Sequence, residues 1–354
     1  MKYYICEGKA IGDYNASTKA RKDIEQILSG NGFNRFCIPT TYGVQKNKLL
    51  KFMQFFSYLN NKRVWNKSLK NLEKDDIIIF QYPILNSCIG LEKVLEKYKE
   101  KGIKIVALVH DLDSLRYKPD AQGKMLCKRV QKEDKEILNS CSYIIAHNNK
   151  MKNYLQTLNN DESKIIVLNL FDYLVDIPLK RIDRKKDDPI IIAGNLSKDK
   201  AAYLKYLPDI ANVSFNLYGK GYVEDQKDGN INYKGAFLPE ELLNNLEGSF
   251  GLVWDGVAKE TCKGGFGEYL KYNNPHKVSM YLAAGIPVII WKEAALAEFI
   301  EDNKLGYTIG SLDELSGLME KISTDEYNEK LLNAKNLSDK IKNGYFTINA
   351  VANI

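Results

Sequence analysis

Residues 273–291 read NNPHKVSMYLAAGIPVIIW, and this stretch decides the fold class. Asn274 suits the N-cap of a helix, Pro275 suits its first position, and Gly285 suits its C-terminal end. The apolar residues that follow Gly285 have the length and β-branched content of a buried strand. The stretch therefore predicts a helix that runs directly into a strand, the repeating step of a parallel α/β sheet.

The same step recurs through the second half of the chain. Short apolar runs predict strands at PIIIAGN (189–195), VSFNLYGKG (213–221), SFGLVWDG (249–256) and GIPVIIW (285–291). Each run is separated from the next by enough residues for a helix or a long turn. The second half therefore predicts a Rossmann-like domain.

The first half shows an independent series of strands and helices. The predicted strands lie near residues 2–6, 33–38, 76–82, 103–109, 142–146 and 165–168. The clearest helix is GLEKVLEKYKEK, residues 90–101, because its apolar residues recur at helical spacing and predict one buried face. That face consists of Leu91, Val94, Leu95 and Tyr98.

A charged segment, PLKRIDRKKDDP at 178–189, separates the two series and resembles a linker. We therefore predict an α/β protein with an N-terminal Rossmann-like domain, residues 1–177, and a C-terminal Rossmann-like domain, residues 178–329. The last helix, about 330–354, is expected to rejoin the first domain. A chain of 354 residues has the length of two domains.

The composition excludes several classes of protein. No stretch approaches the roughly 18 apolar residues of a membrane helix, and MKYYICEGKAIGDYN lacks the features of a signal peptide. We therefore expect a cytoplasmic protein. The net charge of +6 is spread along the chain and no nucleic-acid motif is present. The cysteines show no metal-binding spacing and are predicted to be free thiols; they are Cys6, Cys37, Cys88, Cys127, Cys141 and Cys262.

Ligands of parallel α/β sheets bind beyond the carboxyl ends of the strands, which singles out the turns after the predicted strands. Gly194 and Asn195 form a turn of small residues through which a ligand can approach the backbone. Gly219 forms a second such turn, and Tyr218 is an aromatic residue that could border a nucleobase. The alternative for both segments is an ordinary β–α turn.

The start of the helix in 273–291 predicts an anion site. Its first-turn N–H groups and the positive end of its dipole attract negative charge. His276 and Lys277 add donors and positive charge where a diphosphate could lie. The alternative is a capped helix with a solvated lysine and a histidine packed on its neighbour.

Two loops of the first half carry groups suited to acid–base chemistry. In GDYNASTKAR (12–21), Asn15 or Ser17 can cap the next helix, and the loop is a candidate acceptor loop. The segment HDLDSLR (110–116) follows a strongly apolar strand. The candidates for a general base are Asp13, His110 and Asp111. The alternatives are a core imidazole for His110 and a helix cap for Asp111.

These motifs resemble those of known glycosyltransferases. The segment LAAGIPVII (282–290) is similar to the hallmark of the C-terminal domain of GT-B glycosyltransferases. The longer stretch 251–291, with VHDLDSLR (109–116) and GDYNASTKARKDIE (12–25), more particularly resembles a bacterial family. That family contains galactofuranosyltransferases and the glucosyltransferases that extend glycans on serine-rich adhesins.

The resemblance implies a GT-B fold, with two Rossmann-like domains that face each other across a cleft. It also implies a UDP contact formed by Asn273, Asn274, His276 and Lys277, with Gly194, Asn195 and Tyr218 nearby. The sequence departs from many retaining GT-B enzymes, because Met280 stands where they carry a ribose-binding Glu. The helix cannot hold ribose in that way, and an inverting or retaining outcome remains open.

Asp111 and Asp113 form an Asp-x-Asp pair, which binds a divalent ion in GT-A transferases. Here the pair lies in the first domain, whereas the predicted anion site lies in the second. Lys277 and the helix dipole can neutralise a departing UDP without a cation. We therefore predict no metal and no cofactor other than the donor substrate.

The sequence therefore predicts a hexosyltransferase that moves a galactofuranosyl or glucosyl unit from a UDP-sugar to a sugar hydroxyl. The acceptor is expected to be a lipid-linked or protein-linked glycan of the cell surface. The alternative is a non-catalytic sugar-nucleotide-binding partner of a glycosylation complex; a periplasmic sugar-binding protein is disfavoured by the missing signal peptide. The sugar, the acceptor, the oligomeric state and peripheral association with the inner face of the membrane are left open.

Overall fold

A computed structural model describes residues 1–7, 16–38, 60–85, 88–223 and 229–354. These residues form two compact units. The first contains strand β1 (Lys2–Glu7), the range Ile24–Leu168 and the end of the chain, Ile348–Ile354. The second contains Asn169–Thr347 and the start of the first helix as far as Asp23.

The first unit is built on a six-stranded parallel sheet of order β2-β1-β3-β4-β5-β6. After β1, its strands are β2 (Asn34–Ile38), β3 (Ile77–Tyr82), β4 (Lys104–Val109), β5 (Tyr143–Ala146) and β6 (Ile165–Val167). Helix α1 (Ala16–Gly30) begins in the second unit and ends in the first. The other helices of the first unit are α2 (residues 60–69), α3 (Leu91–Glu100), α4 (Asp113–Arg116), α5 (Pro119–Gln122), α6 (Lys124–Asn139) and α7 (Asn149–Thr157). All six predicted strands are confirmed.

The core of the first unit contains apolar residues that the sequence pattern predicts to be buried. In β4, residues from Ile105 to Val109 are at most 1% exposed, as expected for a central parallel strand covered on both faces. Helix α3 buries the predicted face of Leu91, Val94, Leu95 and Tyr98. The amphipathic period therefore predicted both the helix and the side that packs on the sheet.

The second unit contains another six-stranded parallel sheet, of order β12-β11-β10-β7-β8-β9. Its strands are β7 (Ile190–Ala193), β8 (Phe215–Tyr218), β9 (Ile231–Gly235), β10 (Gly251–Val253), β11 (Val288–Trp291) and β12 (Gly306–Ile309). Its helices are α8 (Lys198–Ala201), α9 (Pro239–Leu242), α10 (Gly264–Tyr269), α11 (His276–Ala283), α12 (Ala297–Asp302), α13 (Glu314–Lys321) and α14 (Thr324–Lys342). Helix α15 (Tyr345–Ala352) begins in this unit and ends in the first. The four predicted strands are confirmed, whereas the edge strands β9 and β12 were not predicted.

Helix α11 and strand β11 form the helix-to-strand step predicted for residues 273–291. Gly285 ends the helix with φ +66°, and its N–H donates to Leu282 O. The predicted N-cap is wrong: Pro275, with extended backbone, occupies that position. Asn274 is instead 2% exposed and its Nδ2 donates to Asn169 O at 2.9 Å. The asparagine therefore joins the helix to the segment after β6.

The second unit begins after β6, and the end of the chain returns to the first unit. Asn169 already belongs to the second unit, and residues 178–189 contain no helix or strand. Helix α14 packs on α11 in the second unit, where Ser338 Oγ donates to Ala283 O. At the end of the chain, Lys104 Nζ donates to Ile354 O at 2.9 Å within the first unit.

The cysteines and the helices bear on two further expectations, those of free thiols and of no membrane helix. The six cysteines are free, and only Cys37 is exposed. Among the helices in the described ranges, none has the length and apolar character that crossing a membrane requires.

Candidate functional site

Two glycine turns meet at the carboxyl edge of the second sheet. Gly194 follows β7 and Gly219 follows β8, and Gly194 N–H donates to Tyr218 O at 2.9 Å. Gly219 has φ +143°, and a Cβ at this position would lie 1.8 Å from Gly194 O. Only glycine permits this approach. The structure therefore brings the two predicted glycine turns into direct contact.

The two residues beside these glycines have different surroundings. Asn195 is exposed, and its Oδ1 accepts a hydrogen bond from Ser197 N–H at 2.9 Å. Tyr218 is 1% exposed, and its hydroxyl accepts from Glu247 N–H at 3.0 Å. Burial raises the pKa of Tyr218. The prediction that Tyr218 borders a nucleobase is therefore wrong, because its side chain points into the core.

Lys277, in the first turn of α11, forms a nearly buried ion pair with Asp255. Its Nζ lies 2.7 Å from Asp255 Oδ1 and 3.2 Å from Trp254 O, directly after β10. The lysine and aspartate side chains are 13% and 7% exposed. The alternative of a solvated lysine is wrong. Asp255 was missed, although a carboxylate just after a buried strand was a visible signal.

His276 packs against Phe171, with ring centroids 4.4 Å apart. Burial, together with the positive charges of Lys19 and Lys200, lowers the pKa of His276 to about 4. The imidazole is therefore neutral near pH 7, and the prediction that it adds positive charge is wrong. Lys19 and Lys200 are therefore the positively charged side chains that act on His276.

Those two lysines were not predicted as site residues. Lys19 Nζ donates to Asp23 Oδ1 at 2.5 Å and to Leu174 O at 2.7 Å. Lys200, on α8, lies over the Phe266 ring at 5.6 Å. Their relation to His276 depends on chain segments far apart in sequence, so no local pattern could reveal it.

The adjacent asparagines differ in their contacts. Asn274 is held by Asn169, as described above. The Oδ1 of Asn273 is buried and has no hydrogen-bond partner among the described residues. A buried acceptor without a donor is costly. Asn273 is thus able to accept a hydrogen bond from a ligand.

The low pKa of His276 predicts a pH-dependent difference in stability between the wild type and His276→Phe. Below its ordinary pKa of about 6.5, unfolded His276 takes up a proton that the native state excludes down to about pH 4. The wild type should therefore lose stability relative to the variant as pH falls through this window, by at most about 3 kcal/mol. Urea unfolding of both proteins across the window measures the difference.

Two carboxyl groups make this paired comparison necessary. Burial raises the pKa of Asp23 and of Asp172 to about 6. Their contribution to stability is fully present at low pH and is lost as pH rises through 6, the opposite sense from His276. Both proteins retain these groups, so the difference isolates His276; a difference independent of pH would contradict the low pKa.

In the first unit, His110 and Asp111 follow β4, as predicted. His110 Nε2 lies 2.6 Å from Gln81 Oε1, at the end of β3. The two carboxylates of the Asp-x-Asp pair share Arg116, at 3.3 Å from Asp111 and 2.5 Å from Asp113. In the part of the chain that the structure describes, no group of three His, Cys, Asp or Glu side chains could hold a metal ion.

The backbone of this loop is held by a buried carboxylate that the sequence did not reveal. Asp134 on α6 accepts hydrogen bonds from the Tyr82 hydroxyl and from Ser114 N–H. Helix α4 begins at Asp113 with Leu112 at its N-cap, so the helix-cap alternative for Asp111 is wrong. Asp111 therefore lies before the helix, on an anchored loop.

The predicted acceptor loop is only partly described. Asp13 and Asn15 lie outside the described residues. Ser17 lies in the first turn of α1, which begins at Ala16. The prediction that Ser17 caps this helix is therefore wrong, since a cap precedes the helix.

Two parallel Rossmann-like units, each a six-stranded sheet with its helices, form the architecture of the GT-B fold. The chain is similar in structure to the lipopolysaccharide outer core galactosyltransferase WaaB in its apo form. The TM-score is 0.62 at 14% identity, with 99% of each chain covered. This likeness supports the fold.

The chain belongs to the Glucosyltransferase 3-like family. The model of the N-terminal domain of that family matches residues 2–170, and the model of its C-terminal domain matches residues 190–354. The predicted family is therefore confirmed over most of the chain.

Curated relatives agree with the family assignment. The chain is 34% identical to Beta-1,6-galactofuranosyltransferase WbbI of Escherichia coli (strain K12), over 94% of this chain and 92% of the relative. It is 26% identical to Glucosyltransferase 3 of Streptococcus gordonii, over 98% of this chain and 96% of the relative. The predicted enzyme class, a hexosyltransferase, is confirmed.

Proposed function

We propose that this enzyme transfers a galactofuranosyl or glucosyl unit from a UDP-sugar to a sugar hydroxyl of a cell-surface glycan or its precursor. The acceptor would be carried on lipid or protein, and the reaction would take place in the cytoplasm near the inner face of the membrane. The observation that carries the donor assignment is the Lys277–Asp255 pair at the start of α11. The printed activities of the two curated relatives support the two candidate sugars.

The second unit is proposed to bind the donor. The first turn of α11 offers N–H groups and a positive dipole end to the diphosphate, and Lys277 offers a charge-assisted donor. The glycine turn at Gly194 and Gly219 leaves space for the nucleotide to contact the backbone, because no Cβ covers it. Met280 is 6% exposed and apolar, so ribose must be held by other groups.

The first unit is proposed to supply the acceptor side and the general base. Asp111 is the leading candidate because it follows β4 on a loop anchored by Asp134. His110 and Asp13 are the other candidates. Removal of the acceptor proton by any of them would make the hydroxyl oxygen a better nucleophile toward the anomeric carbon. UDP would then leave with its negative charge stabilised by Lys277.

A donor panel tests the proposed function directly. The protein would be incubated with several UDP-hexoses, with and without candidate glycan acceptors, and release of UDP would be measured. We expect acceptor-dependent release with at least one donor. Tight UDP binding by calorimetry, without turnover of any donor and acceptor, would instead favour the non-catalytic partner of a glycosylation complex.

Metal independence is a separate prediction. We expect UDP to bind equally well with and without EDTA, because Lys277 and the α11 dipole supply the positive charge that a divalent ion would otherwise provide. Calorimetry in chelated buffer, and again after addition of Mg²⁺ or Mn²⁺, measures the effect. A tenfold or larger loss of affinity on chelation would overturn this prediction.

A further inference from the structure

Two tyrosines, Tyr222 half-buried and Tyr233 exposed, form a pair beside the glycine turn of the second sheet. The ring centroids of Tyr222 and Tyr233 are 5.2 Å apart, and the ring planes are tilted by 42°. Tyr233 is 39% exposed, and its hydroxyl donates to Gly219 O at 2.8 Å. Neither residue has a place in the proposed function so far.

The backbone around the pair is firmly held. Leu196 N–H donates to Lys220 O at 2.9 Å, which ties the turn after β7 to the turn after β8. A Cβ on Gly221 would lie 2.9 Å from Ser197 N, so these turns are in close contact. The hydrogen bond to Gly219 also fixes the Tyr233 ring. The pair is therefore a pre-organised aromatic surface, which reduces the ordering cost of binding a flat ligand.

The order of the strands places chemically different groups along one edge. Strands β10, β7, β8 and β9 are successive neighbours. Lys277 reaches the carbonyl group just after β10, and the glycines follow β7 and β8. Tyr222 lies in the turn after β8, and Tyr233 lies within β9. Neighbouring strands are about 4.8 Å apart, so β10 and β8 are separated by roughly 10 Å. The edge thus carries the lysine of the Lys277–Asp255 ion pair, then bare backbone, then aromatic rings.

We propose that Tyr222 and Tyr233 form the stacking platform for the nucleobase of the donor nucleotide. This inference rests on the proposed function and extends it. The order of the groups along the edge, which is lysine, bare backbone and aromatic rings, matches the order of diphosphate, ribose and base in the nucleotide. A nucleobase stacks on an aromatic ring through its flat face. The pair, with Tyr233 exposed and Tyr222 half-buried, takes the role that Tyr218 cannot fill, because Tyr218 is only 1% exposed.

Substitution of each tyrosine tests the platform. Tyr222→Ala and Tyr233→Ala should each weaken UDP binding by about 5- to 100-fold, the range typical of one lost base–aromatic stack. The affinity for inorganic pyrophosphate should stay within about twofold of wild type, since the phosphate contacts remain. This affinity is measured by displacement of UDP and is corrected for the change in UDP affinity. Tyr233→Phe should lose less than Tyr233→Ala, because it keeps the ring.

A matched control is Tyr206→Ala. Tyr206 lies in the helical segment between β7 and β8 rather than at the carboxyl edge, so its removal should leave UDP affinity unchanged. Circular dichroism checks that each variant is folded. If an alanine variant is unfolded, Tyr222→Leu or Tyr233→Leu replaces it, since leucine restores apolar bulk without an aromatic face.

The results separate this inference from the proposed function. If wild type binds neither UDP nor other nucleoside diphosphates, the proposed function fails. If wild type binds UDP and the tyrosine variants bind it equally well, the platform is overturned alone. The stacking platform is also overturned if the tyrosine variants lose affinity for UDP and for pyrophosphate together. It is overturned as well if these variants raise only the KM for the acceptor, because that result would assign the rings to an acceptor sugar.

Discussion

Asp111→Asn is expected to bind UDP with wild-type affinity and to turn over about a hundred to ten thousand times more slowly. The general base acts on the acceptor hydroxyl, so its loss slows the chemical step and leaves the donor contacts in place. Asparagine keeps the shape of the side chain and its oxygen can still accept from Arg116, which lies 3.3 Å from Asp111 in the wild type. Calorimetry with UDP and steady-state kinetics measure the two effects.

Asp113→Asn is the matched control, because Asp113 contacts the same arginine at 2.5 Å and its substitution removes the same charge. We expect its turnover to stay near wild type. If Asp111→Asn keeps near-normal turnover and Asp13→Asn does not, the base is Asp13. If both remain active, neither carboxylate is the base, and His110→Gln becomes the next variant to measure.

Lys277→Met is expected to weaken UDP binding roughly ten- to a hundred-fold, because a charged hydrogen bond to phosphate is lost. The same change leaves Asp255 nearly buried without its cation, and removal of one partner of a buried pair costs about 3 kcal/mol or more of unfolding free energy. The double variant Lys277→Met with Asp255→Asn removes that stranded charge. It should regain much of the lost stability without regaining UDP affinity.

Asp255→Asn alone is not expected to weaken UDP binding, in contrast to Lys277→Met. Stability should fall, since Lys277 loses its counter-ion, but UDP affinity should be equal to wild type or higher because the phosphate no longer competes with a carboxylate. Urea unfolding and calorimetry on all four proteins complete the cycle. Wild-type UDP affinity in a folded Lys277→Met protein would move the nucleotide site elsewhere, and recovery of affinity in the double variant would show that the loss was structural.

Most strands of the two sheets could be predicted because they carry apolar runs that are bounded by turn residues. The buried face of α3 and the end of α11 at Gly285 could also be predicted, because each depends on residues that are close together in the sequence. Strands β9 and β12 escaped prediction because their sequences, INYKG and GYTI, are short and contain no continuous apolar run. In β9, INYKG, the middle three residues are exposed, so no apolar run marks it.

The sequence by itself determined the parallel α/β architecture, the family, and the residues that stand just after each strand. Periodicity and turn chemistry act over a few residues, and they are enough for these conclusions. Only the tertiary structure decided which of those residues share a site. It paired Lys277 with Asp255, placed His276 where burial and the charges of Lys19 and Lys200 keep its ring neutral, and packed the half-buried Tyr222 against the exposed Tyr233. Such contacts depend on strand order and on burial, because segments far apart in sequence become neighbours only when the sheet is assembled.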